Sequence, residues 1–578
     1  MILQALKSYY DRLAADPKSD IAPQGWAKME IHFVLVINHQ GVLVQIEDTR
    51  EYHEKSLRGK VYLVPQPIKR SSGVASNLLW DSMTYVTGVI KTEGRNEEEI
   101  QKAGRRSIEQ HVAFIQKVEG TLRDSVKKRA CLKFLTAVDE PMLNQFAIWK
   151  EIVRTNANLA IRFVGDLYLY CQDEDVTSVY PATDTASDKH RCLVTGNLDT
   201  TSQLHTAIKG VYGAQSVGAN IVSFNLDPFR SYGKKQGGNA PIGEQAMFAY
   251  TTALNTLLAR ESRQRMQIGD ASTVFWSEKE SAFESDFQQM FSEPPKDDPH
   301  ANSQCIRSLF NSPKTGEYYN SKEPNIFYVL GLSPNAARLS IRFWLVGNIA
   351  EFALHIRQHF EDLRITKSAF EPEFYSIWRL LLQTAPQGKS ENIPPNLSGD
   401  LMQAILLGTP YPHSLLVGVV RRIKSDSEAR VNAVRASLIK ACLNRLLRCH
   451  PNPDEKDLQM ALDVDQASIG YQLGRLMATL EKIQEEANPV LNSTITDRYY
   501  GAACSTPVTV FGTLMRLMRY HMEKLETVGR KVYFEKLVGE ITGHISEFPA
   551  HLGLYEQGKF AVGYYHQKQA FYTKKDSE

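Results

Sequence analysis

The sequence predicts an α+β protein: a mixed α/β N-terminal body with one or more sheets, followed by an all-helical C-terminal bundle. Three observations carry this. Apolar runs rich in Val, Ile, Phe and Tyr recur through the first two thirds, bounded by turn residues as strands are. A linker of Pro, Gly and polar residues, TAPQGKSENIPPN, spans 384–396. Beyond it alternation disappears and only helical periodicity remains. The expected division is 1–383, divisible at 150 into 1–150 and 151–383, and then 397–578.

In chain order, Leu3, Leu6, Tyr10 and Leu13 share one face and predict a first helix. IHFVLVINHQGVLVQI follows, two β-rich runs around Asn38–Gly41, the composition of a hairpin turn. VYLVP at 61–65 reads as another strand, and residues 98–150 turn helical and basic. Strands are expected near Ile161–Val164 and Leu167–Gln172, then at 220–225, 272–276, 325–331 and 338–346. Helices are expected near 243–262 and 278–291, with a proline-rich loop, SEPPKDDPH, at 292–300. After the linker, 411–425 and 427–449 read as helices. Ile469, Leu473, Leu476, Leu480 and Ile483 repeat at 4-3-4-3 spacing, a seam for a neighbouring helix. Leu514, Met518, Met522 and Leu525 form a second stripe, so a helical bundle closes the chain. No repeat of fixed period and no low-complexity segment interrupts this order.

At 578 residues the chain is too long for one core. Its 43% hydrophobic and 23% charged residues describe an ordinary globular protein. A net charge of +2 means that any nucleic-acid contact must come from local basic patches, which favours a subunit that shares the work. Seven cysteines, with no C-x-x-C pair, fit neither a disulfide framework nor a zinc ribbon and point to a reduced compartment. The N-terminus lacks a signal-peptide pattern and no run is apolar enough to span a bilayer, so a cytoplasmic, membrane-free protein is expected.

Two loops have the composition of a nucleic-acid contact. In PIKRSSGVASNLLWDSMTYV (67–86), Lys69 and Arg70 suit phosphates or a guanine edge. Ser71, Ser72 and Asn77 can exchange hydrogen bonds with base edges, and Gly73 permits close backbone approach. In DPFRSYGKKQGGNAP (227–241), Arg230, Lys234 and Lys235 supply charge and Tyr232 a stacking face. Gln236 and Asn239 supply polar tips, with GVYGAQSVGAN (210–220) as a candidate partner loop. The bland alternative for each is a Gly-rich connection with solvated cations. Two helical windows add cationic faces suited to a single strand. Residues 102–129 carry Lys102, Arg105, Arg106, Lys117, Arg123, Lys127, Lys128 and Arg129. Residues 421–450 carry eight basic residues, among them Arg421, Arg422, Lys424 and Arg435. Arg516 and Arg519 extend the set.

Enzyme-like patterns fail on detail. Gly213–Gly218 has P-loop spacing, but Ala219-Asn220 replaces the lysine and hydroxyl that phosphates and Mg²⁺ require. Ala214–Gly218 imitates a nucleophile elbow without its first glycine and precedes a strand-like run where the elbow needs a helix. His355 and His359 have zinc-ligand spacing near Glu351 and Glu361, but no third ligand declares itself. No catalytic residue, metal site or cofactor is expected.

The words IKGVYGAQSVGANIVSFNLDPFRSYGKKQGGNAP (208–241), CLVTG (192–196), GDASTVFW (269–276) and GLSPNAARLSIRFW (331–344) closely resemble one family, and the likeness runs nearly end to end. That family is the large subunit of the type I-C CRISPR Cascade surveillance complex. The resemblance implies a non-catalytic subunit whose N-terminal part reads the protospacer-adjacent motif (PAM) on duplex DNA, leaving the remaining sequence check to guide pairing. It implies as partners the crRNA-bound backbone subunits, the subunit at the crRNA 5′ handle, small subunits, target duplex, displaced single strand and a recruited helicase-nuclease. The C-terminal region resembles the Cascade small subunit, which family members also make from an internal start, for which Met460 is positioned. The rival readings are a scaffold without DNA readout and a metal-dependent nuclease.

Overall fold

The structure, a computed structural model, describes residues 1–53, 56–68, 70, 73–181, 189–295, 297–298, 300–315, 318, 324–426, 430–491 and 493–572. The fold is α+β. It forms two compact units, Met1–Ile208 with Asn220–Thr256, and Lys209–Ala219 with Leu257–Glu578.

The first unit holds β1 (Trp26–Ile31), β2 (Phe33–Ile37), β3 (Leu43–Asp48), β4 (Arg50–His53), β5 (Ser56–Pro65), β6 (Trp80–Ser82) and β7 (Asn158–Phe163). The order β3-β2-β7-β6 makes a four-stranded sheet, β2 and β7 running parallel with Phe33 opposite Leu159. β2 is buried at every residue, as an apolar central strand should be. The hairpin expected at Asn38–Gly41 forms: Asn38 Oδ1 accepts from the N–H groups of Gln40 and Val42, and Gly41 has φ +77°. A side chain at Gly41 would meet the Ala130 carbonyl at 2.6 Å. β1-β5-β4 form a separate antiparallel sheet, and β8 (Lys189–Arg191) pairs with β9 (Leu198–Thr200).

Two expected strands do not form. Leu167–Gln172 turns through a short 3-10 segment, Tyr170–Gln172. Residues 220–225 run as an irregular segment after a single bridge residue, Asn220, whose side-chain amide donates to the carbonyls of His205 and Thr206.

The second unit contains an antiparallel meander, β10 (Arg265–Ile268), β11 (Ala271–Ser277), β12 (Ile326–Asn335) and β13 (Arg338–Asn348). One face is covered by the helices Ala282–Phe291, Ile349–Asp362 and Leu397–Leu407 around Phe275, Phe283, Phe287, Phe327 and Phe352. That core continues without a break across residues 384–396 into the helical region. There the 469–483 seam is real: Leu473, Leu476, Leu480 and Ile483 are buried where the helix Ile469–Ala487 lies along Leu554–Ala570. Glycines set the spacing of these two helices. A Cβ on Gly474 would lie 2.0 Å from the Phe560 carbonyl, and one on Gly563 2.2 Å from that of Tyr471. Six of the seven cysteines are buried, and only Cys449, at the end of the helix Ala433–Cys449, is exposed.

Candidate nucleic-acid interface

The segment 227–241 forms a finger whose shape follows from its residues. Pro228 starts a 3-10 turn, Asp227–Phe229, and Arg230 pairs with Asp227 at 2.9 Å on the surface. The Lys234 N–H then donates to the Ser231 carbonyl at 3.0 Å, closing a turn with φ +52° at Tyr232 and +70° at Gly233. Positive φ at both central positions is natural for glycine and strained for tyrosine. Asn239 holds both shoulders: its Oδ1 accepts from Ser231 N–H at 3.0 Å, and its Nδ2 donates to the carbonyls of Lys234 and Gln236. Gly237 fixes the base, donating to the Gln203 carbonyl at 3.0 Å, and a Cβ there would sit 2.0 Å from the Ser202 carbonyl.

The result is a presented tip. Tyr232 is 98% exposed, with Lys234 and Lys235 exposed beside it and Gln236 half-buried at φ +45°. An aromatic ring held outward beside two ammonium groups suits a base face and neighbouring phosphates. Asn239, expected as a polar tip, spends its amide on the backbone of the finger and so makes the tip. The candidate partner loop 210–220 belongs to the second unit except for Asn220, which belongs to the first; within the second unit Tyr212 and Val217 are exposed, and Gly213 and Gly218 have positive φ.

Of the 67–86 loop, Lys69, Ser71 and Ser72 lie outside the described residues. Gly73 is exposed with open space around it. Arg70 and Asn77, expected at the DNA, are tied into the loop. Asn77 is buried, its Oδ1 accepting from Ile68 N–H at 3.0 Å and its own N–H donating to Asp81 at 2.9 Å. Arg70 pairs with Asp81, donates to the Ala75 carbonyl at 2.6 Å and lies 3.9 Å over the Tyr85 ring. Burial pushes the Asp81 carboxyl above the ordinary aspartate range despite this guanidinium. Removing Arg70 leaves a buried carboxylate with only the backbone donors of Asn77 and Ser82. Arg70→Ala is therefore expected to destabilise the first unit by about 2 kcal/mol in chemical denaturation.

The cationic windows are divided by the fold. Lys127 bonds Asp166 at 2.8 Å and Asp173 at 2.6 Å; burial lowers its pKa, but the two carboxylates outweigh that and hold it above the ordinary lysine value. Lys128 caps the helix Glu97–Thr121 through the carbonyls of Glu119 and Leu122. Arg129 is exposed and pairs with Asp124. In the second window Arg435 is buried, with bonds to Asp426 and the Arg430 carbonyl. Arg422 also pairs with Asp426, and Lys424 donates to Gln557 at 2.7 Å. Lys440 and Arg445 are buried too. Arg421, Arg516 and Arg519 stand exposed. Counting charges along the chain cannot see which acceptors the fold brings to them, so most of the expected 421–450 face is bonded within the chain, though only Arg435, Lys440 and Arg445 are buried.

His355 and His359 do not converge on a site. His355 Nδ1 bonds the Leu406 carbonyl, and His359 is buried against the Tyr411 hydroxyl at 2.6 Å. Among the described residues, no group of three or more His, Cys, Asp or Glu side chains is arranged to hold a metal ion. No helix is long and apolar enough to cross a membrane among the described residues.

A family model described as CRISPR-associated protein (Cas_Csd1) matches residues 6–572, and no curated protein matches the chain. That match takes in both units, the finger and the helical region together. The chain thus belongs to the CRISPR-associated protein (Cas_Csd1) family and is a component of a CRISPR Cascade complex.

Proposed function

We propose that this chain is the large subunit of a type I-C Cascade that reads the PAM on duplex DNA, promotes opening of the duplex and supports the displaced strand. It breaks no bonds itself; a recruited helicase-nuclease does so. It sits in the cytoplasm against the crRNA-bound backbone subunits, the subunit at the crRNA 5′ handle and the small subunits. Translation from Met460 supplies the helices from Ile469–Ala487 to Leu554–Ala570 as a separate small subunit.

The observation that supports this best is the 231–235 finger, where a stapled turn presents Tyr232, Lys234 and Lys235 outward. Exchanging a DNA duplex for a guide–target hybrid is nearly balanced, so a few protein contacts at its start decide the outcome. One good base contact contributes roughly 1–3 kcal/mol. The exposed Arg129, Arg421, Arg516 and Arg519 are assigned to the displaced strand, where phosphate attraction needs no sequence.

The test uses the assembled complex carrying the triple substitution Tyr232→Ala, Lys234→Ala and Lys235→Ala. PAM-dependent duplex binding is expected to weaken at least ~10-fold with the particle intact, and the salt slope to fall by about 1 per lost phosphate contact. A scaffold that does not read DNA is the second reading, favoured by the inward commitment of Arg70 and Asn77. It requires unchanged binding across PAM variants. Metal-dependent cutting of labelled DNA by the purified chain, abolished by a point mutation, would overturn the non-catalytic assignment.

A further inference from the structure

The helix Phe511–Glu523 is fixed in rotation by its buried side. Phe511, Leu514 and Met522 enter the core of the second unit, and Asn488 Nδ2 donates to His521 Nδ1 at 3.2 Å. The helical period then brings Gly512, Arg516, Arg519 and Tyr520 to the outward side, where all four are exposed. Tyr520, which the sequence did not single out, is 69% exposed, and among the described residues its side chain has no ring or hydrogen-bond partner. Arg516 reaches only the Thr513 hydroxyl, at 3.4 Å, and Arg519 forms no ion pair or hydrogen bond among the described residues. The helix holds a single carboxylate, Glu523, and neither arginine pairs with it. Elsewhere in the same unit Arg422, Arg435 and Arg448 are each bonded to a carboxylate, so two uncommitted guanidinium groups beside an uncovered ring stand apart. Gly512, one turn before Arg516, has open space at its Cβ position and keeps this end of the face low.

We infer that this helix face binds single-stranded DNA by stacking, one base lying on the Tyr520 ring and the neighbouring phosphates drawn to Arg516 and Arg519. The inference rests on the displaced-strand role proposed above for the two arginines and deepens it. Residues three and four apart on a helix are neighbours, so ring and guanidinium groups meet one short stretch of strand together. Guanidinium attraction alone serves any phosphate chain, single or double. A ring is covered only by a base that has left its own stack, so Tyr520 is what makes the face prefer a single strand. An acidic protein surface would meet the arginines but leave the ring without a flat partner.

The test is anisotropy of labelled oligo(dT) of about twelve nucleotides, within the usual single-strand site size, and of a labelled hairpin duplex. Both are titrated with the full-length chain carrying Tyr232→Ala, Lys234→Ala and Lys235→Ala, which removes the finger from the measurement. This parent is expected to bind oligo(dT) more tightly than the duplex. Adding Tyr520→Ala should weaken oligo(dT) about 10-fold, the scale of one lost base stack, and leave the duplex unchanged. Tyr520→Phe should keep the parent's affinity, because the ring and not the hydroxyl is used. Arg519→Gln should weaken both ligands and lower the salt slope for oligo(dT) by roughly 0.7. Parent affinity for oligo(dT) in Tyr520→Ala overturns this inference alone, provided that Arg519→Gln still weakens binding. Equal losses for single strand and duplex, or a Tyr520→Phe as weak as Tyr520→Ala, also overturn it while sparing the arginines. No binding by the parent, or none lost in Arg519→Gln, overturns it together with the displaced-strand reading. Tighter binding of oligo(rU) than of oligo(dT), or poly-glutamate competing as well as oligo(dT), assigns the face to RNA or to an acidic protein and overturns it too.

Discussion

Acidifying the protein from neutrality to about pH 4.5 is expected to remove roughly 5 kcal/mol of folding stability from the second unit, most of it through two imidazoles. His359 and His566 are each about 1% exposed. His359 Nδ1 faces the Tyr411 hydroxyl at 2.6 Å, and His566 Nδ1 faces that of Tyr471 at 2.9 Å. Burial, with Arg445 near the first and Lys440 near the second, drives both down to about 3. The unfolded chain protonates these groups near 6.5 while the fold keeps them neutral. Their contribution is complete above pH 6.5 and is lost as pH falls toward 3. Each imidazole then contributes a slope of about 1.4 kcal/mol per pH unit across that window. Most of the range from 6.5 to about 4.5 lies above ordinary carboxylate titration, so the imidazoles dominate it. Chemical denaturation at stepped pH reads the effect. His359→Gln or His566→Gln should remove one unit of slope each, whatever the substitution does to absolute stability. A denaturation midpoint that stays flat between pH 6.5 and 4.5 would refute the assignment.

Alanine at Gly474 should destabilise the second unit by about 3 kcal/mol or more, although alanine is the better helix former. The added methyl would stand 2.0 Å from the Phe560 carbonyl and 2.7 Å from the Tyr564 nitrogen, both backbone atoms in the facing helix. Backbone cannot rotate away, so the helices must separate and the contacts of Leu473, Leu476 and Leu480 loosen with them. Gly563→Ala meets the Tyr471 carbonyl at 2.2 Å and should behave alike. Gly539, inside the helix Val528–Gly543 with open space at its Cβ position, is the control. There alanine should stabilise by roughly 0.5–1 kcal/mol. Thermal melts of the three variants decide between close packing and helix propensity.

How much of this was legible in the sequence depends on whether the deciding partner is near in the chain. The Asn38–Gly41 turn and the 469–483 seam were legible because short-range geometry specifies both. The closeness of that seam to its partner was not, since Gly474 acquires its meaning from Phe560, far along the chain. Asn220, in the strand expected at 220–225, likewise has distant partners, the carbonyls of His205 and Thr206. Charge was least legible of all. Lys127, Arg422 and Arg435 look like a surface until Asp166, Asp173 and Asp426 are placed beside them. The finger was legible by composition, while Asn239's part in building it was not.

The distribution of thiols has a practical consequence. With six sulfhydryls sealed inside, a maleimide dye should react with the native chain at Cys449 alone. The natural sequence therefore arrives ready for single-site labelling, and energy transfer from that position can follow this chain without first engineering a cysteine-free background of it.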